Sequence, residues 1–219
     1  NINVVNIGLV APPVPDPYLS GLWVGESGNW FDTANWSGGV LPDINGVDDV
    51  IISSPTNILV TYVPGPDFVF NLGSDLLLDG GALYQDSTAW SAFYRGSEMT
   101  IKNGGAWLFE QTHMLMFGYD TGEAIHIIDN STFAVRELEV DDQQIIVVTN
   151  GATATVSVYA DVSNGSRFDV TDATLNIGVV NLYEYEGVDG LINVNDGGQV
   201  NLDAEFYAEG LKTNVITKT

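Results

Sequence analysis

The chain has 219 residues, 45% of them hydrophobic, enough to bury a continuous core in one elongated domain. Asp and Glu number 29 against 6 Lys and Arg, a formal net charge of -23, so nucleic acid, anionic membranes and anionic polysaccharides would meet a like-charged surface with few cations to neutralise them. The lack of cysteine removes disulfides, thiolate nucleophiles and Cys-ligated zinc; neutral glycans, divalent cations and other protein surfaces remain as partners.

Asn1 to Val10 is uncharged and rich in β-branched residues, which favours a strand. Ala11 to Pro17 follows with four prolines, few amide donors and a preference for extended geometry. Residues 1–20 therefore form an extended arm with a Pro-rich linker, and its strand either folds back over its own first coil or docks on a neighbouring molecule. An exposed apolar strand invites pairing, so it needs a partner of some kind. The numbering is expected to start after a removed signal peptide, and no apolar run nears the ~18 residues of a membrane span. The expected location is therefore outside the cell or on its surface, without membrane insertion.

Residues 21–52 carry the most distinctive local pattern, with a Trp-rich cap expected over 21–49: Trp23-Val24-Gly25, Gly28-Asn29-Trp30, Asn35-Trp36-Ser37, then Pro42-Asp43 and Asp48-Asp49-Val50-Ile51-Ile52. This resembles the Gly-x-Trp-x4-Asn-Trp module, followed by a Pro and an Asp-x-Val-x-Ile strand, that opens the β-helical regions of secreted bacterial surface proteins of the autotransporter-like and adhesin-like kind. The resemblance covers residues 21 to 62 by motif and implies class and location, not activity. Physically, three tryptophans in so short a segment suit a plug for the end of a stacked core. The other reading is an aromatic platform on which sugar rings stack.

From residue 50 to 210 one pattern recurs: an apolar residue, a turn of Asp, Asn or Gly, then two alternating apolar residues. It reads Ile101, Asn103-Gly104-Gly105, Trp107 and Phe109, and again Val194, Asp196-Gly197-Gly198, Val200 and Leu202. Anchors at Ser54, Asp79, Asn103, Asp129, Asn150, Asp172 and Asp196 are separated by 25, 24, 26, 21, 22 and 24 residues. A period in the twenties with strand chemistry around tight turns predicts an all-β parallel β-helix, or β-solenoid. We expect about seven coils, roughly 30 Å of rod at the β spacing. Gly and Asn after each anchor supply positive φ where a side chain would meet the coils above and below. Residues 211–219 hold a last β-prone stretch, Asn214-Val215-Ile216-Thr217, with no evident cap.

Two long corners hold most other aromatics: Tyr84, Trp90, Phe93 and Tyr94 in one, Met114, Met116, Phe117 and Tyr119 in the next. Half of these suit the core; stacked in register, the rest would form a stripe. Tyr183, Tyr185 and Tyr207, interleaved with Glu184, Glu186 and Glu205, suit strands with one wet face.

Catalytic chemistry is thinly supplied. A lyase needs a cation or strong base beside a bound uronate, and His113 and His126 are the only histidines. Both read as surface or strand histidines. Asp141-Asp142 is an adjacent acidic pair without the Gly-His-Gly and Arg-x-Lys motifs of β-helical inverting glycosidases, and reads as a solvated corner. No nucleophile elbow, phosphate loop or His-Glu-x-x-His site occurs. Asp43, Asn45, Asp48 and Asp49 pack hard oxygen donors around Gly46, the chemistry Ca2+ takes, although no cofactor is required by the sequence.

The reading that gathers these features is a non-enzymatic subunit of a surface or matrix fibre that polymerises with copies of itself. Ile2, Val4, Ile7 and Leu9 would add to the Val215 and Ile216 end of a neighbour, an open-ended contact that makes filaments. The alternative is a carbohydrate-binding or adhesin module using Trp90, Tyr94, Trp107 and Tyr119 on neutral glycans; a polysaccharide-active enzyme is the weaker third.

Overall fold

The computed structural model describes residues 21–46, 48–54, 58–63, 67–71, 73–85, 90–109, 115–118, 123–185, 188–203, 206–209 and 216–218. They form an all-β parallel solenoid of about six turns, and among them no helix is long and apolar enough to cross a membrane. Each coil presents three sides. The first side is an eight-stranded sheet: Val50–Ser53, Leu76–Asp79, Met99–Lys102, Ile125–Asp129, Ile145–Thr149, Arg167–Thr171, Leu191–Val194 and Ile216–Lys218. The second and third sides belong to one larger sheet. In the early coils they are separate strands, such as Ala82–Gln85 and Ser91–Phe93. In the later coils Thr132–Val140, Thr153–Val162 and Thr174–Tyr185 each cover both sides in one bent strand. The bend falls where the register shifts, between Val135 and Glu137 and between Val156 and Tyr159.

Alternation decides what lies inside, because successive side chains of a strand point to opposite faces. Ile52, Leu78, Ile101, Ile128, Val148 and Val170 stack up the interior of the first side, each 0% exposed. Parallel register holds the stack, with Ile52 opposite Leu78 and Leu78 opposite Ile101. The lower core is aromatic. Phe70, Phe93 and Phe117 form a column with ring centroids 4.8 and 5.4 Å apart, and Trp107 meets Phe68, Phe93, Phe109 and Phe133 edge-on. The upper core is built from smaller side chains, among them Ala154, Ala160 and Val180.

The turn between the first and second sides behaves as its residues require. Asn103, Asn130, Asn150 and Asp172 have φ between 45° and 54°, and Gly80 and Gly197 also have positive φ. A Cβ on Gly105 would lie 2.6 Å from the carbonyl oxygen of Leu78 in the coil below, so this turn needs the bare backbone there. The turn side chains also stitch coils together: Asn103 Nδ2 donates to Asp79 Oδ1 at 2.8 Å, and Asn150 Nδ2 to Asp129 Oδ1 at 2.7 Å.

The tryptophan segment builds a partial coil beneath the first full one. Leu22 bridges Ile51 on the first side, and Gly28–Asn29 pairs with Leu59–Tyr62 on the second. Trp23, Trp30 and Trp36 turn inward, at 3%, 3% and 1% exposure, with centroids 4.9 and 4.6 Å apart in edge-on contact. Trp30 continues into the column by meeting Tyr62 and Phe68. The indole donors are satisfied locally: Trp36 Nε1 donates to the Trp30 carbonyl at 2.7 Å, and Trp23 Nε1 to that of Glu26 at 3.0 Å. These rings are a plug, so the platform reading of the three is set aside.

Candidate functional site

The outer surface of the first side carries a shallow cleft of about 340 Å³ lined by Asp49, Ile51, Asp75, Leu77, Glu98, Thr100 and Lys102 among others. Its floor is made by the outward residues Ile51, Leu77 and Thr100, which register places side by side on successive coils. Its rim is a column of carboxylates at the start of three successive strands. Each accepts from the amide one coil above: Asp75 N to Asp49 Oδ1 at 3.1 Å, Glu98 N to Asp75 Oδ1 at 2.8 Å, Ile125 N to Glu98 Oε1 at 3.2 Å. In later coils the same amides use carbonyls instead, as in Ile145 N to Ala124 O at 2.9 Å. Burial raises the Asp75 carboxyl above the usual range; the Asp49 and Glu98 carboxylates add to the rise and the Glu98 amide opposes it. Lys102 is drawn to Asp79 Oδ2 at 3.5 Å. Such a cleft suits a neutral or cationic group and repels an anion.

A second acidic area lies on the third side, where Glu139, Asp161 and Asn181 are register neighbours on successive coils. Burial raises the Glu139 carboxyl, with the Asp141 and Asp161 carboxylates adding to it. Asp161 is likewise raised by burial, while Asn181, donating to its Oδ1, pulls it back. Burial also pushes the Tyr159 and Tyr183 phenols up. A carboxyl raised in the folded state binds its proton more tightly there than in the unfolded chain. It therefore penalises stability above the folded pKa, and the penalty fades as pH falls toward the unfolded value. Glu139→Gln is accordingly expected to raise the melting temperature at pH 7 by about 2 °C, the effect of somewhat under 1 kcal/mol at this chain length. In thermal melts the gain should shrink as the pH approaches 4.3, the ordinary Glu value. A loss of stability at pH 7 would contradict it.

Of the residues proposed for glycan contact, the three that are described are not brought together. Trp107 is 0% exposed in the core, which removes it from any platform: its place two residues past the turn makes it inward. Its Nε1 finds no hydrogen-bond partner among the described residues. Trp90 is 46% exposed and Tyr94 half-buried, at the two ends of the strand Ser91–Phe93, about 13 Å apart along an extended chain. Tyr119 and His113 lie outside the described residues. Of the proposed calcium loop, Asp48 Oδ2 accepts from Asp43 N at 2.8 Å, and Asp49 is committed to Asp75 as above. Asn45 is exposed on that turn. Among the described residues no three His, Asp or Glu side chains converge as a metal ion would require. Asp141 and Asp142 each serve a corner: Asp141 Oδ1 accepts from Ser163 Oγ at 2.9 Å and Asp142 Oδ1 from Asn164 Nδ2 at 2.8 Å.

His126 is a strand histidine, within Ile125–Asp129, and of the two places expected for it the structure selects the strand's inward face. It is 0% exposed and lies inside the solenoid, not on its surface. Ile125 and Ile127 are the residues that face outward, Ile125 at 42% exposure. Counting back by twos from Ile128 would have found the inward histidine. An acidic residue directly before each of three strands is visible in the chain, in Asp49-Val50, Asp75-Leu76 and Glu98-Met99, but nothing there shows that the three line up as one rim. Of the proposed interface, Ile2, Val4, Ile7, Leu9 and Val215 lie outside the described residues. Ile216 opens the strand Ile216–Lys218, which pairs in parallel with Leu191–Val194.

The chain matches no family model, and it is similar to no curated protein and no solved structure in the comparisons made.

Proposed function

We propose that this protein is a structural subunit of an extracellular or cell-surface fibre or matrix, in which copies join head to tail. The observation that carries this reading is the contrast between the two ends of the core. At the start of the solenoid three tryptophans close the interior. At the far end, the strands Gln199–Leu202, Phe206–Glu209 and Ile216–Lys218 each pair with one coil only among the described residues. Val200 and Leu202 continue the inward column above Leu175 and Ile177 by register, yet they are half-buried where their counterparts below are 0% and 1% exposed. One-sided strands over an incompletely covered core form an edge suited to strand addition. The arm containing Ile2, Val4, Ile7 and Leu9, without a charge from Asn1 to Val10, supplies the chemistry of a strand for a neighbour's edge. An arm entering the next copy propagates without closing, hence a filament.

The experiment is deletion of residues 1–10 with electron microscopy and sedimentation of the purified protein, with and without Ca2+. The full chain is expected to form end-to-end rods and the truncated chain monomers. Polymers that persist unchanged after the deletion would refute the donated strand.

A further inference from the structure

On the first side the inward residue of each lower coil sends its amide up to a carbonyl of the coil above: Val50 N to Asp75 O at 2.7 Å, Leu76 N to Glu98 O at 2.9 Å. Met99 is the next residue in that column, and its amide goes instead to a side chain, donating to His126 Nδ1 at 3.2 Å. Backbone register between these two coils starts only at Ile127 opposite Thr100. An imidazole therefore takes the place of a backbone acceptor at the joint between the third and fourth coils.

We propose that His126 is an acid-responsive pin, joining these two coils while its ring is neutral and releasing them when the ring is protonated.

The geometry fixes the tautomer. Nδ1 accepts from Met99, so the ring proton sits on Nε2 and donates to Gln144 Oε1 at 3.1 Å. That amide is itself oriented, because Gln144 Nε2 donates to the Asp142 carbonyl at 3.2 Å. The ring lies on Phe117, centroids 4.0 Å apart, with Phe93 at 5.6 Å. A second proton would have to go on Nδ1, where it would set one donor against another across the Met99 contact, and would place a cation in a sealed interior.

Among the described residues the surroundings offer that cation no counter-charge. From Met99–Lys102 the inward residues are Met99 and Ile101, from Ile145–Thr149 Ile146 and Val148, and from the third side Phe93 and Phe117, all buried. Asp142 reaches the network through its backbone carbonyl while its carboxylate serves Asn164. Glu98 is exposed and bonds the Ile125 amide on the outer side. Burial accordingly pushes the imidazole down to about 4 from 6.5, against a smaller opposing effect of the Gln144 bond. A base with a lowered folded pKa stabilises the closed form above its ordinary value, and that contribution is lost as pH falls from 6.5 toward 4. The raised carboxyls of Asp75, Glu139 and Asp161 act with the opposite sign, so the pin must be read locally.

The test is hydrogen exchange of the amides in Met99–Lys102 and Ile125–Asp129 at pH 6.5 and 4.5, corrected for intrinsic exchange. Opening of this joint should rise by about 40-fold, the one-proton linkage between 6.5 and about 4 over this interval. In His126→Gln the rise should vanish, because the amide cannot charge. An equal rise in the variant would overturn the proposal. Should the variant not fold, the imidazole resonances and amide protection of the unmodified protein decide: a midpoint below 6 with protection of the joint lost through it supports the pin, and a midpoint at or above 6, or protection intact through the titration, overturns it.

Discussion

Phe93→Ala should cost about 3–5 kcal/mol, the range for deleting a buried aromatic ring, and lower the melting temperature by about 6–20 °C at this chain length. Phe93 is 1% exposed and stands at a junction. It stacks on Phe70 at 4.8 Å with planes 5° apart, leans on Phe117, and meets the edge of Trp107 at 5.9 Å. These neighbours come from the coils below and above and from a different side of the same prism, so none can move in to fill the void without giving up a contact of its own. The ring also covers His126 at 5.6 Å, so the cavity would loosen the Met99 joint as well. Urea unfolding is the measurement. Phe93→Leu, which keeps most of the volume, should recover more than half of the loss. A cost under about 1 kcal/mol for the alanine variant would mean that the column is not the core's main support.

Trp36→Ala should remove a similar amount locally, about 3–5 kcal/mol, but with a different spatial signature. Trp36 is 1% exposed, touches Trp23 and Trp30 edge-on, and donates to the Trp30 carbonyl at 2.7 Å. Its partners all belong to the partial coil beneath Val50–Ser53. In a stacked array each coil depends on its immediate neighbours, so the damage should enter from one end and fade with distance. Hydrogen exchange should show lost protection in Val50–Ser53 and Leu59–Tyr62 while Ile145–Thr149 and Arg167–Thr171 stay closed. Uniform loss along the rod would show that the solenoid opens as one unit and that the plug is not a local cap. The contrast with Phe93, whose loss strikes the coils directly below and above it, makes the pair informative together.

The two variants also mark what could be read from the residues. Trp36 belongs to a cluster whose three rings follow one another closely in the chain, beside Gly and Asn turns, so a plug was legible. The role of Phe93 was only half legible. It sits in a long corner with Trp90 and Tyr94, and the sequence gives no reason why Phe93 is 1% exposed and Trp90 46%. Strand parity separates them, and parity in that corner depends on where the strand Ser91–Phe93 begins. Trp107 is different: alternation past the Asn103 turn points it inward against its place among candidate sugar-stacking rings, and the structure seals it among Phe68, Phe93, Phe109 and Phe133. Ambiguous parity also left His126 open between a surface and a strand position.

What the chain alone determined is local: the turn residues with their positive φ, the alternation that makes strands, and the period that stacks them as a solenoid. Those properties are written within a few residues of each turn, because backbone sterics and the two-residue pleat act over that distance. Only the tertiary structure decided the three-sided cross-section, the carboxylate column at the start of the early strands, and the imidazole standing in for a carbonyl. Each of these pairs residues one coil apart, 18 to 27 positions along the chain. Which of them meet is set by coil-to-coil register, and register is fixed by the packing of the whole interior, not by any single repeat.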